Sequence, residues 1–492
     1  MRLHPGHLLA LVALLGQQTV VATLVNSNLI RTVTLGASAY VTEQIGVVVQ
    51  NTDTHATHTS YRVWAGDAAK LERLASLHVH ERKSGRELPV TKKDDMEYVV
   101  TLGSPLAAGE KIGLSIDMVY TQMAQPAPAT NVGQEDDQRW AWDDQLLVAS
   151  PYATRKQKTV VSLDGNTNSN GGTRLVRHEG ARGSRDPDTG SVVFGPFNSG
   201  DTAGRGRVVF VSNAEHVEAT GLQREYFVSH WDDTLHVSDA CDVRNAGPST
   251  PGGAIDGVQR MMSRFTGARD HLIKSFVVHV PGTAREAFFV DAIGNVSTSA
   301  IGTVGKRQKA VHVMQLKPRY PLAGGWRYAW RHGYRVPLGE HLRRATDGRF
   351  HLHVPFIERL VASSSSDKHL AVPDHSAAAV LDYELRVTLP QGACNVELRA
   401  PFEAEYRIEH AKHYLDAPGV ARPVVVVSMR NVPPAVMGQN VVVSYDYSWA
   451  AMWLKPAAIA ACVMGLFVLA SVVSRLQFGL APAASKLKSK AE

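Results

Sequence analysis

PAAIAACVMGLFVLASVVS, residues 456–474, is a run of nineteen residues without a formal charge, held between Lys455 and Arg475. At roughly 1.5 Å per helical residue it just crosses a hydrocarbon core of about 30 Å. Trp449 and Trp453 stand at its front end, where interfacial aromatics belong. The run reads as a single transmembrane helix. A buried core helix fits less well, because a basic tail follows and no further domain comes after it to supply the burial.

Working outward, Met1 to Ala22 has Arg2 near its start and an apolar stretch from Leu8 to Leu15, the pattern of a secretory signal peptide. Arg475, Lys486, Lys488 and Lys490 crowd one side of the helix against Lys455 alone near the other. By the positive-inside rule this predicts a single-pass type I membrane protein whose bulk faces the lumen of the secretory pathway. The expected division is a signal peptide (1–22), a first lumenal domain (23–222), a second (223–448), the transmembrane helix (449–475) and a short basic cytosolic tail (476–492). Two domains are expected because the lumenal length exceeds one ordinary core.

Charge and cysteines narrow the function. The formal net charge is +6, of which the tail from Arg475 carries +3 and Arg2 carries +1, leaving +2 for the lumenal region. No polyanion-binding surface follows from so small an excess, and nucleic acid is not an expected partner. Of three cysteines, Cys462 lies in the membrane run, so Cys241 and Cys394 alone are available for a lumenal disulfide. Two unpaired cysteines are the alternative.

Period-two alternation dominates the region before the helix. Ile112, Leu114, Ile116, Met118 and Tyr120 share one strand face; so do Leu381 through Leu389 at alternate positions, and Val441, Val443, Tyr445 and Tyr447. Val208–Val211, Phe276–Val280 and Val424–Val427 read as central strands; helical patterns are few, the clearest running over Ala68–Ser76 and Leu338–Ala345. The predicted class is mainly β, with two tandem β-sandwich-like domains followed by one membrane helix. Pro126–Gln138, Asp164–Gly190 and Asn245–Gly257 read as long irregular loops. Two internal echoes occur: Leu29–Asn51 with Tyr226–Asn245, each a strand, turn and strand, and Gly113–Thr121 with Val442–Ser448.

Candidate chemistry is sparse. Trp142-Asp143-Asp144 and Trp231-Asp232-Asp233 set paired acids beside an aromatic ring, which a glycosidase would use, but adjacent strand residues point to opposite faces. His78 and His80, His351 and His353, and His410 and His413 are pairs, short of the three or four ligands zinc takes. No His-Glu-x-x-His, P-loop or nucleophile elbow occurs, and no metal or cofactor is predicted. Asn295-Val296-Ser297 is a glycosylation sequon, with Asn295 the acceptor. Ala457, Ala461 and Gly465 recur every fourth residue, a spacing that lets a second membrane helix approach closely. Lys488 and Lys490 match a dilysine signal for retrieval to the endoplasmic reticulum.

Specific stretches then carry a resemblance. Ile293-Gly294-Asn295-Val296-Ser297-Thr298-Ser299, Pro318-Arg319-Tyr320-Pro321-Leu322, Gly324-Gly325-Trp326, Gly333-Tyr334 and Pro337 closely resemble the ribophorin I family. In order along the chain, Ser150-Pro151-Tyr152, Val228-Ser229-His230-Trp231, Leu389-Pro390 with Gly392-Ala393, Tyr414-Leu415-Asp416 and Arg422-Pro423-Val424 extend the likeness. The resemblance implies a non-catalytic subunit of the oligosaccharyltransferase complex with two lumenal β-domains, similar to the N-terminal domains of zinc aminopeptidases without their metal site. It implies a polytopic catalytic subunit, other complex subunits and nascent polypeptides as partners. The transferase motif Trp-Trp-Asp-Tyr-Gly is absent from this chain. Only Leu476 to Glu492 follow the helix, where animal members carry a large cytosolic domain, which puts ribosome contact through such a domain in doubt. The reading from another class is a cell-surface adhesion or receptor protein with two β-sandwich domains.

Overall fold

The computed structural model describes residues 24–476, apart from 37–38, 95, 131, 135, 164–172, 267–270, 305–310, 364–376 and 414–415. The expected signal peptide and the retrieval lysines Lys488 and Lys490 lie outside the described residues.

Strands dominate, and they enclose two separate apolar cores. One draws on residues from Leu24 to Phe210, the other on Val217 to Tyr445 together with Tyr40. The expected junction at Leu222 lies inside the strand Val217–Ser229. The alternation read from sequence is the physical cause of each layer: Leu114, Ile116, Met118 and Tyr120 point inward from Lys111–Thr121, and Tyr383, Leu385 and Val387 from Ala379–Thr388.

The two main sheets share one topology. In the first, the hairpin Leu24–Leu35/Tyr40–Asn51 is flanked by Lys156–Leu163, parallel to its first strand, and by Lys111–Thr121, antiparallel to its second. In the second, the hairpin Val217–Ser229/Thr234–Asn245 is flanked by Ala379–Thr388 and Arg327–Pro337 in the same orientations. Both hairpins carry a register shift near the start of their first strand, at Asn26/Asn28 and at Ala219/Gly221. The first sequence echo therefore marks structurally equivalent hairpins. The second does not, since Lys111–Thr121 belongs to a main sheet and Asn440–Asp446 to a smaller four-stranded one.

Both expected helices shrink to one turn. Asp67 caps Ala68–Leu71 by accepting from the Lys70 N–H, but Leu74–Glu81 is taken as a strand by its pairing with Lys111–Thr121. Leu338–His341 gives way to Leu342–Arg344, paired with Phe350–Pro355. Sheet pairing outweighs local propensity in both. A ten-residue helix, Gly257–Thr266, was not anticipated; Asp256 accepts from the Val258 and Gln259 N–H groups at its start. The expected Asp164–Gly190 loop contains the strands Arg174–Glu179 and Gly183–Arg185.

The cores meet through specific bonds. The Tyr40 hydroxyl donates to Val432 O (2.9 Å), the Thr121 hydroxyl to Asn431 Oδ1 (2.8 Å), and Asn431 Nδ2 to Glu72 O (2.7 Å). The Gly324-Gly325-Trp326 turn packs nearby chain tightly: Gly325 has φ +79°, and a Cβ on Gly324 would stand 1.9 Å from Pro248 O. Gly324→Ala is expected to destabilise the second core by at least about 1–3 kcal/mol, read as a lower denaturation midpoint. An unchanged midpoint would remove the turn from the account of packing.

Among the described residues two histidines are buried: His216 against the Trp140 ring (4.1 Å between centroids) and His332 in the second core. Burial pushes each down to about 4. Their ordinary value is about 6.5, so the unfolded chain binds more protons between pH 6.5 and 4. Stability from each is complete above pH 6.5 and is lost as pH falls toward 4, by the order of 3 kcal/mol. Urea midpoints at pH 7 and pH 4.5 test this; His332→Gln is expected to blunt the difference, and equal midpoints for the parent would refute it.

Candidate functional site: the groove between the second core and the membrane helix

The apolar run begins where the second core ends. Ser448 accepts from the Ala451 N–H and caps Trp449–Met452, which continues across Trp453 into Leu454–Arg475. This second helix is the one described element long and apolar enough to cross a membrane, and none of its apolar window is buried. Burial by protein therefore does not account for its composition, as a bilayer would.

Three loops receive the start of the helix. The hairpin turn after Ser229 brings up Trp231, half exposed, whose indole N–H donates to Met452 O (2.7 Å) and whose ring meets Trp453 edge-on. Asp233, at φ +47°, closes that turn. The Pro390-Gln391-Gly392 loop lies against the first turn: Gly392 has φ +87°, and a Cβ there would stand 2.8 Å from the Ala451 Cβ. The third loop, Asp416 to Arg422, is tied to the second, with the Gln391 amide donating to Ala417 O and Val420 O at 2.9 and 2.8 Å.

Between these loops and the helix runs a groove of about 560 Å³, walled by Phe227, Trp231, Pro390, Tyr447, Ile459 and Ala460. Arg422 and Lys455 also line it. Arg422 makes a forked pair with Asp416 (2.9–3.1 Å) and stacks over Phe227 at 5.1 Å. Burial raises Asp416, but Arg422, the His413 N–H and the charge of Lys455 prevail and hold its carboxyl below the usual range. His230 is kept low by burial, and its Nε2 lies 2.8 Å from the Tyr445 hydroxyl. The stretches Ser229-His230-Trp231, Pro390 with Gly392, and Asp416 with Arg422-Pro423, far apart in sequence, converge here.

The sequence-predicted residues fall elsewhere or disperse. Asn295 is exposed on the edge strand Gly294–Asn295 of the main sheet. Ala457, Ala461 and Gly465 are exposed on the helix. At about 100° per residue they lie on the side opposite Pro456, Ile459 and Ala460, which face the groove. The acids beside Trp142 separate: Asp143 pairs with Arg205 at 2.5 Å, while Asp144 joins Arg31 and Lys70 in the first core. Asp232 turns to the Thr234 hydroxyl. His78 pairs with Glu87 and His351 with the Ser444 hydroxyl, and among the described residues no group of three His, Cys, Asp or Glu side chains is arranged to hold a metal. Cys241 and Cys394 are unpaired, one buried and one exposed.

Sequence reasoning missed the inward charges Arg31, Glu43, Arg224, Asp239 and His332. Each has the same strand parity as buried apolar neighbours, Arg224 with Leu222 and Tyr226 for example, and parity is the signal that would have found them.

A family model described as Ribophorin I matches residues 24–474. Dolichyl-diphosphooligosaccharide–protein glycosyltransferase subunit 1 of Caenorhabditis elegans is 27% identical over 79% of this chain and 61% of its own length. Subunit 1B of Arabidopsis thaliana is 26% identical over 71% of this chain and 68% of its own. The chain thus spans about three fifths of the length of the Caenorhabditis elegans relative. Among solved structures, an aminopeptidase N family protein from Idiomarina loihiensis gives a TM-score of 0.24 at 10% identity, covering 41% of this chain and 31% of that one. A score that low carries no argument.

Proposed function

Because the chain belongs to the ribophorin I family, we propose that it is a non-catalytic subunit of the oligosaccharyltransferase complex. In this reading it supports transfer of a lipid-linked oligosaccharide to Asn-x-Ser/Thr of nascent proteins at the endoplasmic reticulum membrane. The family match over residues 24–474 carries the reading and favours it over a cell-surface adhesion or receptor protein.

The β region lies in the lumen and Leu454–Arg475 anchors it. The transfer itself belongs to a polytopic partner subunit. Two modules, parting between Val211 and Val217, hold that subunit and nascent polypeptides close together and raise the effective concentration of acceptor segments. The commitment of Asp143 and Asp144 to ion pairs supports a scaffold over a glycosidase. Asn295 is the glycan acceptor, the Ala457, Ala461 and Gly465 face receives a partner helix, and Lys488 and Lys490 serve retrieval.

Purification of the full chain in gentle detergent, with mass spectrometry of what accompanies it, tests the assignment. The polytopic transferase is expected among the co-purifying proteins, and deletion of this chain is expected to lower sequon occupancy on secreted proteins. Recovery of the chain alone, with occupancy unchanged after deletion, would overturn it.

A further inference from the structure

We propose that the groove beside the membrane helix holds one anionic glycerophospholipid, its phosphate at Lys455 and Tyr447 and its upper acyl chain along Pro456, Ile459 and Ala460. The proposal rests on the apolar helix spanning the bilayer. Trp449 and Trp453 then set the water boundary, Lys455 stands at that level, and Ile459 and Ala460 lie one turn deeper. The groove is open and amphipathic there, with a volume inside the range of small-molecule sites, about 300–1,000 Å³.

Its polar groups decide between occupants. Gln391 is bonded to Ala417 and Val420, the Trp231 indole to Met452, His230 to Tyr445, and Arg422 to Asp416. Among the lining side chains, the Lys455 ammonium and the Tyr447 hydroxyl make no hydrogen bond or direct ion pair among the described residues, although the charge of Lys455 also acts on Asp416. Asp416 bonds directly to Arg422 and acts on Lys455 only through space, so two cations face one carboxylate and one positive charge is in surplus. Asp232 and Asp233 follow Trp231 without lining it, and Asp232 is turned to Thr234 and His236. A polypeptide needs donors and acceptors for its backbone. One cation and one hydroxyl above an apolar slot suit a phosphodiester with a hydrocarbon tail.

The full chain, released from micelles holding equal phosphatidylinositol and phosphatidylcholine, is measured by native mass spectrometry. One phosphatidylinositol per chain is expected, with at least about fivefold preference. Lys455→Glu, which removes the charge, and Ala460→Trp, which fills the slot, are each expected to lower retention about fivefold or more, while Arg475→Glu at the far end leaves it unchanged. Equal retention of both lipids, or equal loss with Arg475→Glu, would reduce the groove to ordinary annular contact and overturn the proposal. So would a photo-crosslinker at position 459 that labels a polypeptide in the native complex. Co-purification of the transferase, scored on the same variants, separates failure of this proposal from failure of the subunit assignment.

Discussion

Arg224→Ala is expected to lower the stability of the second core by about 3–5 kcal/mol, the usual cost of leaving one member of a buried ion pair alone. Arg224 and Asp239 face each other across the central hairpin, fully enclosed, and the guanidinium donates to both carboxylate oxygens at 2.7 Å. Burial pushes Asp239 up, yet Arg224 outweighs it and keeps the carboxyl below its ordinary value. His332, next in register, offers only a 3.5 Å approach from Nε2. Without Arg224 the carboxyl rises instead, so the variant's deficit is expected to be largest at neutral pH and to shrink as acid neutralises Asp239. Denaturation of the full chain at pH 7 and pH 5 checks the sign. A deficit independent of pH would mean that lost packing, not an unpaired charge, is the cause.

The second large effect is in the first core. Arg31 and Glu43, both nearly inaccessible on the main sheet, meet Asp144 from the facing sheet and Lys70 from the one-turn helix. Two cations balance two carboxylates, with Arg31 also donating to Gln145 O at 2.6 Å and lying over the Trp142 ring. Arg31→Ala leaves Glu43 and Asp144 to share Lys70, at an expected cost of about 3–5 kcal/mol. Arg31→Met with Glu43→Leu removes one charge of each sign and keeps Lys70 with Asp144; it is expected to lie closer to the parent than to Arg31→Ala. Denaturation midpoints of the three proteins decide this. If the double variant is the weaker one, the cluster acts through shape and not through charge balance.

Much of this fold was legible. The face of Lys111–Thr121 and the central strand Val424–Val427 follow from apolar alternation or apolar runs, because a strand with one buried side must repeat every second residue. The hairpin echo was legible for the same reason. The helices were not: Ala68–Ser76 and Leu338–Ala345 satisfy a helical pattern, and only the neighbouring strands decide that Leu74 and Leu342 begin extended segments. At the groove, Trp231, Gly392, Asp416 and Arg422 stand out in sequence one at a time. Nothing local says that they surround one helix terminus.

The sequence by itself determined the class of structure and its attachment: alternation gives sheets, and a charge-free run long enough to cross a bilayer gives the helix, since both patterns are properties of contiguous chain. Tertiary structure alone decided where charge is buried, which hairpin receives the helix, and that among the described residues Arg422 bonds directly to Asp416 while Lys455 does not. Those outcomes depend on residues brought together across large separations, as Arg31 meets Asp144 and Trp231 meets Met452. Their energies come from enclosure by both partners, which no single stretch contains.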